Sequence, residues 1–377
     1  MKLRLPLIAL TSFALSLSSV VTVYAEAPSG DSARSSVNNF QSVGIRSHGF
    51  PVRNWADLAA TDPKAALSSS PEVASDSESA DLSWLDSLSA VMTGKGAATR
   101  AVVGGAAANP ITCHTTCISM SGTVALIPVW VGAWATADVT KWNTVLGNIV
   151  TSLGTAKANS IAKAGHVFNT NTLYFTSKTK VAPSLQWVTN TAITAPTAVS
   201  VTDANVATYI NTFISTHSTI VPTGTTPLYV YIGAKTTLLT SGFGTTYCGW
   251  HSYGTTSTLK NVQYIAIQDF TSKYYGACAM QTTSPNANTG LDAMASVFAH
   301  ETDETLTDPF LNAWYDVYGS ENADKCAWTF GTTTTTSGYM YNIQLGSLKY
   351  LIQQNWLANN LITTSGLSTS TACSLVG

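Results

Sequence analysis

The chain is 377 residues long and 45% hydrophobic, enough for one large core or two modest ones at about 100–200 residues per domain. Only 10% of its residues are charged, against about 25% in ordinary globular domains, and 18 Lys plus Arg nearly balance 20 Asp plus Glu. A net charge of −2 leaves no basic surface for a nucleic-acid backbone and no polybasic patch for a membrane, so the places where the few charges gather carry the information.

Residues 1–25 read as a signal peptide. Lys2 and Arg4 precede an apolar, Ser-rich run from Leu5 to Val23, and Ala25 is the small residue before a cleavage point ahead of Glu26. The run is also about long enough for a membrane anchor, but its Ser and Thr content and the cleavage signature favour removal. No later stretch offers about 20 uninterrupted apolar residues, so a secreted, extracellular protein with no remaining membrane span is expected. Residues 26–110 are rich in Ser, Ala and Asp, as in Ser68-Ser69-Ser70-Pro71, and bury too little to offset the entropy of ordering. They read as a flexible leader, or as a pro-segment if the amphipathic stretch Leu82 to Met92 forms a docking helix.

Residues 111–377 form the folded domain. Val124 to Val131 is a continuous apolar run of strand length. A helix starts at Thr136 as its cap, with Asp138 at the positive end and Val139, Trp142, Leu146, Ile149 and Leu153 at helical spacing. A second helix runs from Asp203 as cap through Val206, Tyr209, Ile210, Phe213 and Ile214. Strands follow at Leu228 to Ile232 and Val262 to Ile267. Leu291, Met294, Val297 and Phe298 mark a further helix, which Pro309 stops. Thr332 to Thr336 and the Ser/Thr-rich tail read as loops. The pattern predicts an α/β domain of the α+β type, a mixed sheet with packed helices. Export puts the six cysteines in an oxidising compartment, and pairing neighbours joins Cys113 with Cys117, Cys248 with Cys278 and Cys326 with Cys373, one of fifteen connectivities.

After residue 100 the chain has no arginine and only eleven acids, eight of them between 292 and 324. The same window holds His300-Glu301-Thr302-Asp303-Glu304, on the last of these helices. Residues four apart share a helix face, so His300 and Glu304 stand like the two ligands of H-E-x-x-H, with Glu301 beside them where a general base belongs. Glu321, 21 residues beyond His300, is the candidate third ligand and Asp308 the competing one; Asp324 is suited to hold a ligand histidine from behind. A glutamate in place of the second histidine makes the donor set harder, so the expected cofactor is a divalent metal, zinc first, with manganese, iron or calcium also suited. The plainer alternative is an amphipathic helix with a solvated acidic face. His251 can approach the site from another loop, whereas His48, His114, His166 and His217 read as ordinary polar residues. Cys248 is better suited to a disulfide than to a thiol dyad with His251, and no G-x-S-x-G supports a serine nucleophile.

The string from Gly290 to Pro309, followed by Asn312-Ala313-Trp314-Tyr315 and Glu321-Asn322-Ala323-Asp324-Lys325-Cys326, resembles the EXORDIUM family of phosphate-induced proteins. Pro128-Val129-Trp130-Val131-Gly132-Ala133-Trp134, Cys248-Gly249-Trp250-His251 and Tyr350 to Trp356 extend the resemblance over about Cys113 to Cys373. The chain departs from the family where a C-x3-C and a C-P-G-x-C each keep one cysteine here, which the resemblance implies are joined as a single Cys248–Cys278 bridge. It further implies an extracellular protein of the apoplast or cell wall, linked in plants to growth and brassinosteroid response, in a family with no established catalytic activity. Two functions stay open: a secreted metal-dependent hydrolase with a zincin-like active-site helix, or a non-catalytic growth-signalling or wall-binding protein using the site structurally. Trp314, Tyr315 and Tyr318 would suit contacts with an extracellular polypeptide or a cell-wall polysaccharide.

Overall fold

Seven strands form one sheet: β1 Gln41–Ser42, β2 Thr123–Val131, β3 Ser184–Trp187, β4 Ile193–Thr194, β5 Thr226–Gly233, β6 Trp250–Thr255 and β7 Val262–Gln268. The structure is a computed structural model that describes residues 111–357 except 115–116, 155–166, 170–173, 176–181, 195–199, 241, 256–260, 271 and 317–318, together with Gln41–Ser42 and Cys373–Ser374. The signal peptide, nearly all of the leader with its stretch Leu82 to Met92, most of the tail, and His48, His166 and Tyr318 lie outside the described residues.

The spatial order is β1-β6-β7-β5-β2-β3, with β4 also pairing β2. β3, β4 and β5 run parallel to β2, and β7 runs parallel to β5; β6 and β1 finish one edge antiparallel. Parallel strands covered on both faces need apolar residues at every position, and this is why Val124 to Val131 and the whole of β7 are buried without alternation.

Among the described residues four α-helices pack around the sheet: α1 Thr136–Leu153, α2 Asp203–Thr216, α3 Ser272–Cys278 and α4 Thr289–Thr307. Successive residues of a strand face opposite sides. Tyr229 and Tyr231 of β5 meet Phe213 and Tyr209 of α2 on one face. His251 of β6, in register with Ile265 and through it Val230, faces the other side, which α4 covers with α1 beside it. The chain passes from β2 through α1 to β3 on one flank, then through α2 to β5 on the opposite flank, so the two connections diverge between β2 and β5.

The α+β class, the mixed sheet and the three neighbour disulfides are all present. Local details differ. Ala135, with no side-chain cap bond, precedes Thr136 as the first residue of α1. Thr202 caps α2 in a reciprocal box with Asn205, which frees Asp203 to accept a 2.8 Å bond from the Tyr247 hydroxyl. Thr334–Thr336 is a strand rather than a loop: it pairs with Tyr339–Tyr341 across Ser337 and Gly338, both at positive φ as a type I′ hairpin requires. Threonine's β-branched side chain favours the extended backbone once a partner strand is supplied.

Candidate metal centre

Helix α4 is buried all round: from Met294 to Thr307 every residue is buried. The acidic stripe is therefore not a solvated face, and the carboxylates of Glu301, Asp303 and Glu304 lie in the interior. Asn288 caps the helix by accepting from Leu291 N at 3.0 Å, and Asp308 ends it.

Three segments converge on Glu304. Strand β6 brings His251, whose Nε2 lies 3.0 Å from Glu321 Oε2 and 3.7 Å from Glu304 Oε2. α4 brings His300, with Nε2 3.1 Å from Glu304 Oε1 and 3.5 Å from Asp324 Oδ1. The segment Glu321 to Asp324 closes the site: Asp324 N donates to Glu304 Oε1 at 2.9 Å, and Glu321 N donates to Asp324 Oδ2 at 3.2 Å. Among the described residues two sets of side chains have ligand atoms close enough together for a cation, His251 with Glu301 and Glu304, and His300 with Glu304 and Asp324.

The hydrogen bonding orients the imidazole of His300. Gln353 Nε2 donates to Ala323 O at 2.8 Å and directs its other hydrogen to His300 Nδ1, also at 2.8 Å. With that amide orientation, assigned from the Ala323 carbonyl, Nδ1 accepts and Nε2 carries the ring proton toward Glu304 and Asp324. His251 Nε2 faces Glu321 Oε2 in the same way at 3.0 Å, so each imidazole clamps a carboxylate and either set takes a cation only as that ring proton is displaced. Burial opposes charge on His300, but the hydrogen bond with Asp324 and the charges of Glu301 and Asp324 outweigh it, so its pKa lies above the ordinary value. Burial, together with the charges of Asp324, Glu321 and Glu301, pushes Glu304 well above the ordinary carboxylate range. Burial pushes Asp303 up to about 8 even with His300 and a 2.6 Å bond from Asn322 Nδ2 opposing it.

The expected site residues divide accordingly. His300, Glu301, Glu304, Glu321, Asp324 and His251 come together, His251 from a strand rather than a loop. Asp308 stands apart, its Oδ1 accepting from Asn312 N at 2.6 Å and Ala313 N at 2.7 Å to close the turn after α4. Trp314 and Tyr315 are half-buried: Trp314 packs edge-on against Tyr174, and Tyr315 stacks on His114. His217 ends α2 as an ordinary polar residue, stacked on Phe213. Gln353 and Asn322 were absent from the expected set, since an amide that orients an ionised neighbour has no charge pattern to reveal it. Gly249 explains its own motif: a Cβ there would come 2.5 Å from Val297 Cγ1 and 3.1 Å from Glu301 Oε1, so only glycine lets the strand carry His251 this close to α4.

Residues 111–350 match the family model described as the phosphate-induced protein 1 conserved region. The chain belongs to this family. Its relatives include Protein EXORDIUM-like 3 of Arabidopsis thaliana, 39% identical over 87 residues, which are 19% of this chain and 26% of that protein. Protein EXORDIUM-like 5 of the same plant is 31% identical over 90 residues, 20% of this chain and 25% of the relative. The chain thus spans about a quarter of the length of each relative it matches. No solved structure matches it. The plant family members, the three disulfides, and the absence among the described residues of a helix long and apolar enough to cross a membrane are consistent with an extracellular location.

Proposed function

We propose that this family member is a secreted protein of the apoplast or cell wall whose buried cluster is a closed divalent-metal centre serving the fold and not a reaction. The observation that carries this is charge imbalance under full burial. Glu301, Glu304, Glu321 and Asp324 gather about two imidazoles, and Glu301, Glu304, Glu321 and His300 have no exposed surface. The nearby buried lysine, Lys325, is committed to Asp316 at 2.9 Å. Like charges held together in low dielectric must be neutralised by protons or by a cation. His251, Glu301 and Glu304 would hold that cation, and a set of one imidazole and two carboxylates suits zinc first and manganese nearly as well. Bound there, it would supply the positive charge that ties α4 to β6. Full burial of Glu301 and Glu304, which keeps a substrate from the site, favours a structural over a catalytic role.

A metal-dependent hydrolase is the second reading. It is favoured by the H-E-x-x-E order on α4 and by His251, which supplies the imidazole that the motif lacks. In that case Glu301 is the base, and a movement must expose it. Elemental analysis of the purified protein beside Glu304→Ala tests the centre: about one equivalent of metal is expected in the native chain and none in the variant. A folded native protein free of metal, with a melting temperature indifferent to manganese, zinc and chelator, would overturn it. Glu301→Gln then separates the two functions, since lost peptide or ester hydrolysis at unchanged metal content would establish the hydrolase.

A further inference from the structure

A second concavity, of about 430 Å³, opens at the other end of α4, within the size range of small-molecule sites. Its walls are built from the carboxyl ends of three parallel strands: Asp138 in the first turn of α1 after β2, Lys235 just beyond β5, and Asp269 just beyond β7. Phe270, Tyr275 and Asn288 also line it. This edge includes the point where the connections from β2 diverge, and open α/β sheets bind ligands off the carboxyl ends of their strands at such points. At a rise of about 1.5 Å per residue, Gly290 on the rim lies roughly 15 Å along α4 from His300, so the cleft is separate from the carboxylate cluster.

We infer that this cleft binds a neutral polyhydroxylated ligand, a mono- or disaccharide unit. Two carboxylates and one ammonium present acceptors and donors in the mixture that vicinal hydroxyls require, Asn288 adds an amide, and the Phe270 and Tyr275 rings offer apolar walls for sugar C–H faces. Asp138 and Asp269 repel a phosphate or carboxylate ligand, while Lys235 and the positive ends of α1 and α4 repel a bare metal cation. Asp269 is held in position, because Gly290 is the residue against which it packs and any Cβ there would collide with Asp269 Oδ1. Burial pushes Asp269 up to about 6, with Lys235 opposing, so in mildly acid solution its carboxyl donates as well as accepts. The inference does not rest on the metal centre.

Saturation-transfer NMR and calorimetry on the purified chain, with glucose, xylose, galactose, cellobiose, xylobiose and laminaribiose as probes, test it. At least one sugar is expected to bind, equally well after chelator treatment. Lys235→Ala and Asp138→Asn, the first exposed and the second half-buried, should each weaken that binding roughly tenfold, the scale of one charge-assisted hydrogen bond, at unchanged melting temperature. Absence of binding by all six sugars, binding of inorganic phosphate or calcium at the cleft instead, or variants that bind as tightly as the native chain would each overturn it.

Discussion

Asp324 and Lys325 are adjacent in the chain but belong to differently built charge sites. Lys325 has no side-chain exposure; its Nζ donates to Asp316 Oδ2 at 2.9 Å and lies 4.7 Å from the centre of the Trp356 ring. One cation meets one carboxylate, and the pair is complete within the protein. Asp324 turns the other way, into a cluster where carboxylates outnumber imidazoles and Glu304 is forced well above its ordinary pKa. Glu304 and Glu321 of that cluster are as deeply buried as Lys325, with the Asp324 side chain 10% exposed, so charge balance rather than depth separates the two sites. The carboxylates of the cluster must be neutralised by protons or by a cation, whereas the Lys325–Asp316 pair carries its own counter-charge.

The largest effect that would test this contrast is at the balanced site. Lys325→Met leaves the buried Asp316 carboxylate without its cation and should cost about 3–5 kcal/mol in guanidinium unfolding, whereas adding Asp316→Leu should return most of it. A single variant near neutral would show that the pair is not the closed unit described. At the unbalanced site the sign of the effect is decisive. Without a cation, Glu304→Gln relieves repulsion and raises the melting temperature. With a cation at about 100 times its dissociation constant, the same change forfeits about 2.7 kcal/mol of linkage and should lower it by roughly 5–10 °C in metal-containing buffer. Gly249→Ala should cost about 1–3 kcal/mol through overpacking against Val297 and Glu301, and should reduce metal uptake in parallel. If uptake is unchanged, the approach of β6 to α4 does not set the centre.

Asp269 is an intermediate case, half-buried and facing the exposed Lys235. Its pKa in the folded state, about 6, lies above the ordinary 3.8, so the folded chain holds this proton more tightly than the unfolded one. Its contribution is complete below about pH 4, declines as pH rises toward 6 and stays lost above that. Urea midpoints measured across this range should fall for the native chain and flatten in Asp269→Asn. A variant with the same slope would assign the pH dependence elsewhere.

Much of this was legible in the chain itself. Continuous apolar runs give parallel, doubly covered strands their register with the core, and the periodicity of α4 with Pro309 beyond it bounds that helix, because both signals are local. The Thr334–Thr336 strand was hidden, since threonine takes an extended form only when Tyr339–Tyr341 lies opposite. The H-E-x-x-E string drew attention to α4, and its spacing put His300 and Glu304 on one face. Spacing along one helix could not show that His251, 49 residues earlier, supplies the other imidazole. Nor could it show that Gln353 turns the proton of His300 toward the carboxylates, or that the whole acidic stripe faces inward. Sequence by itself determined which charges are scarce and where in the chain they gather. Only the tertiary structure decided which of them are neutralised, because pairing and desolvation depend on distances between segments far apart in the chain.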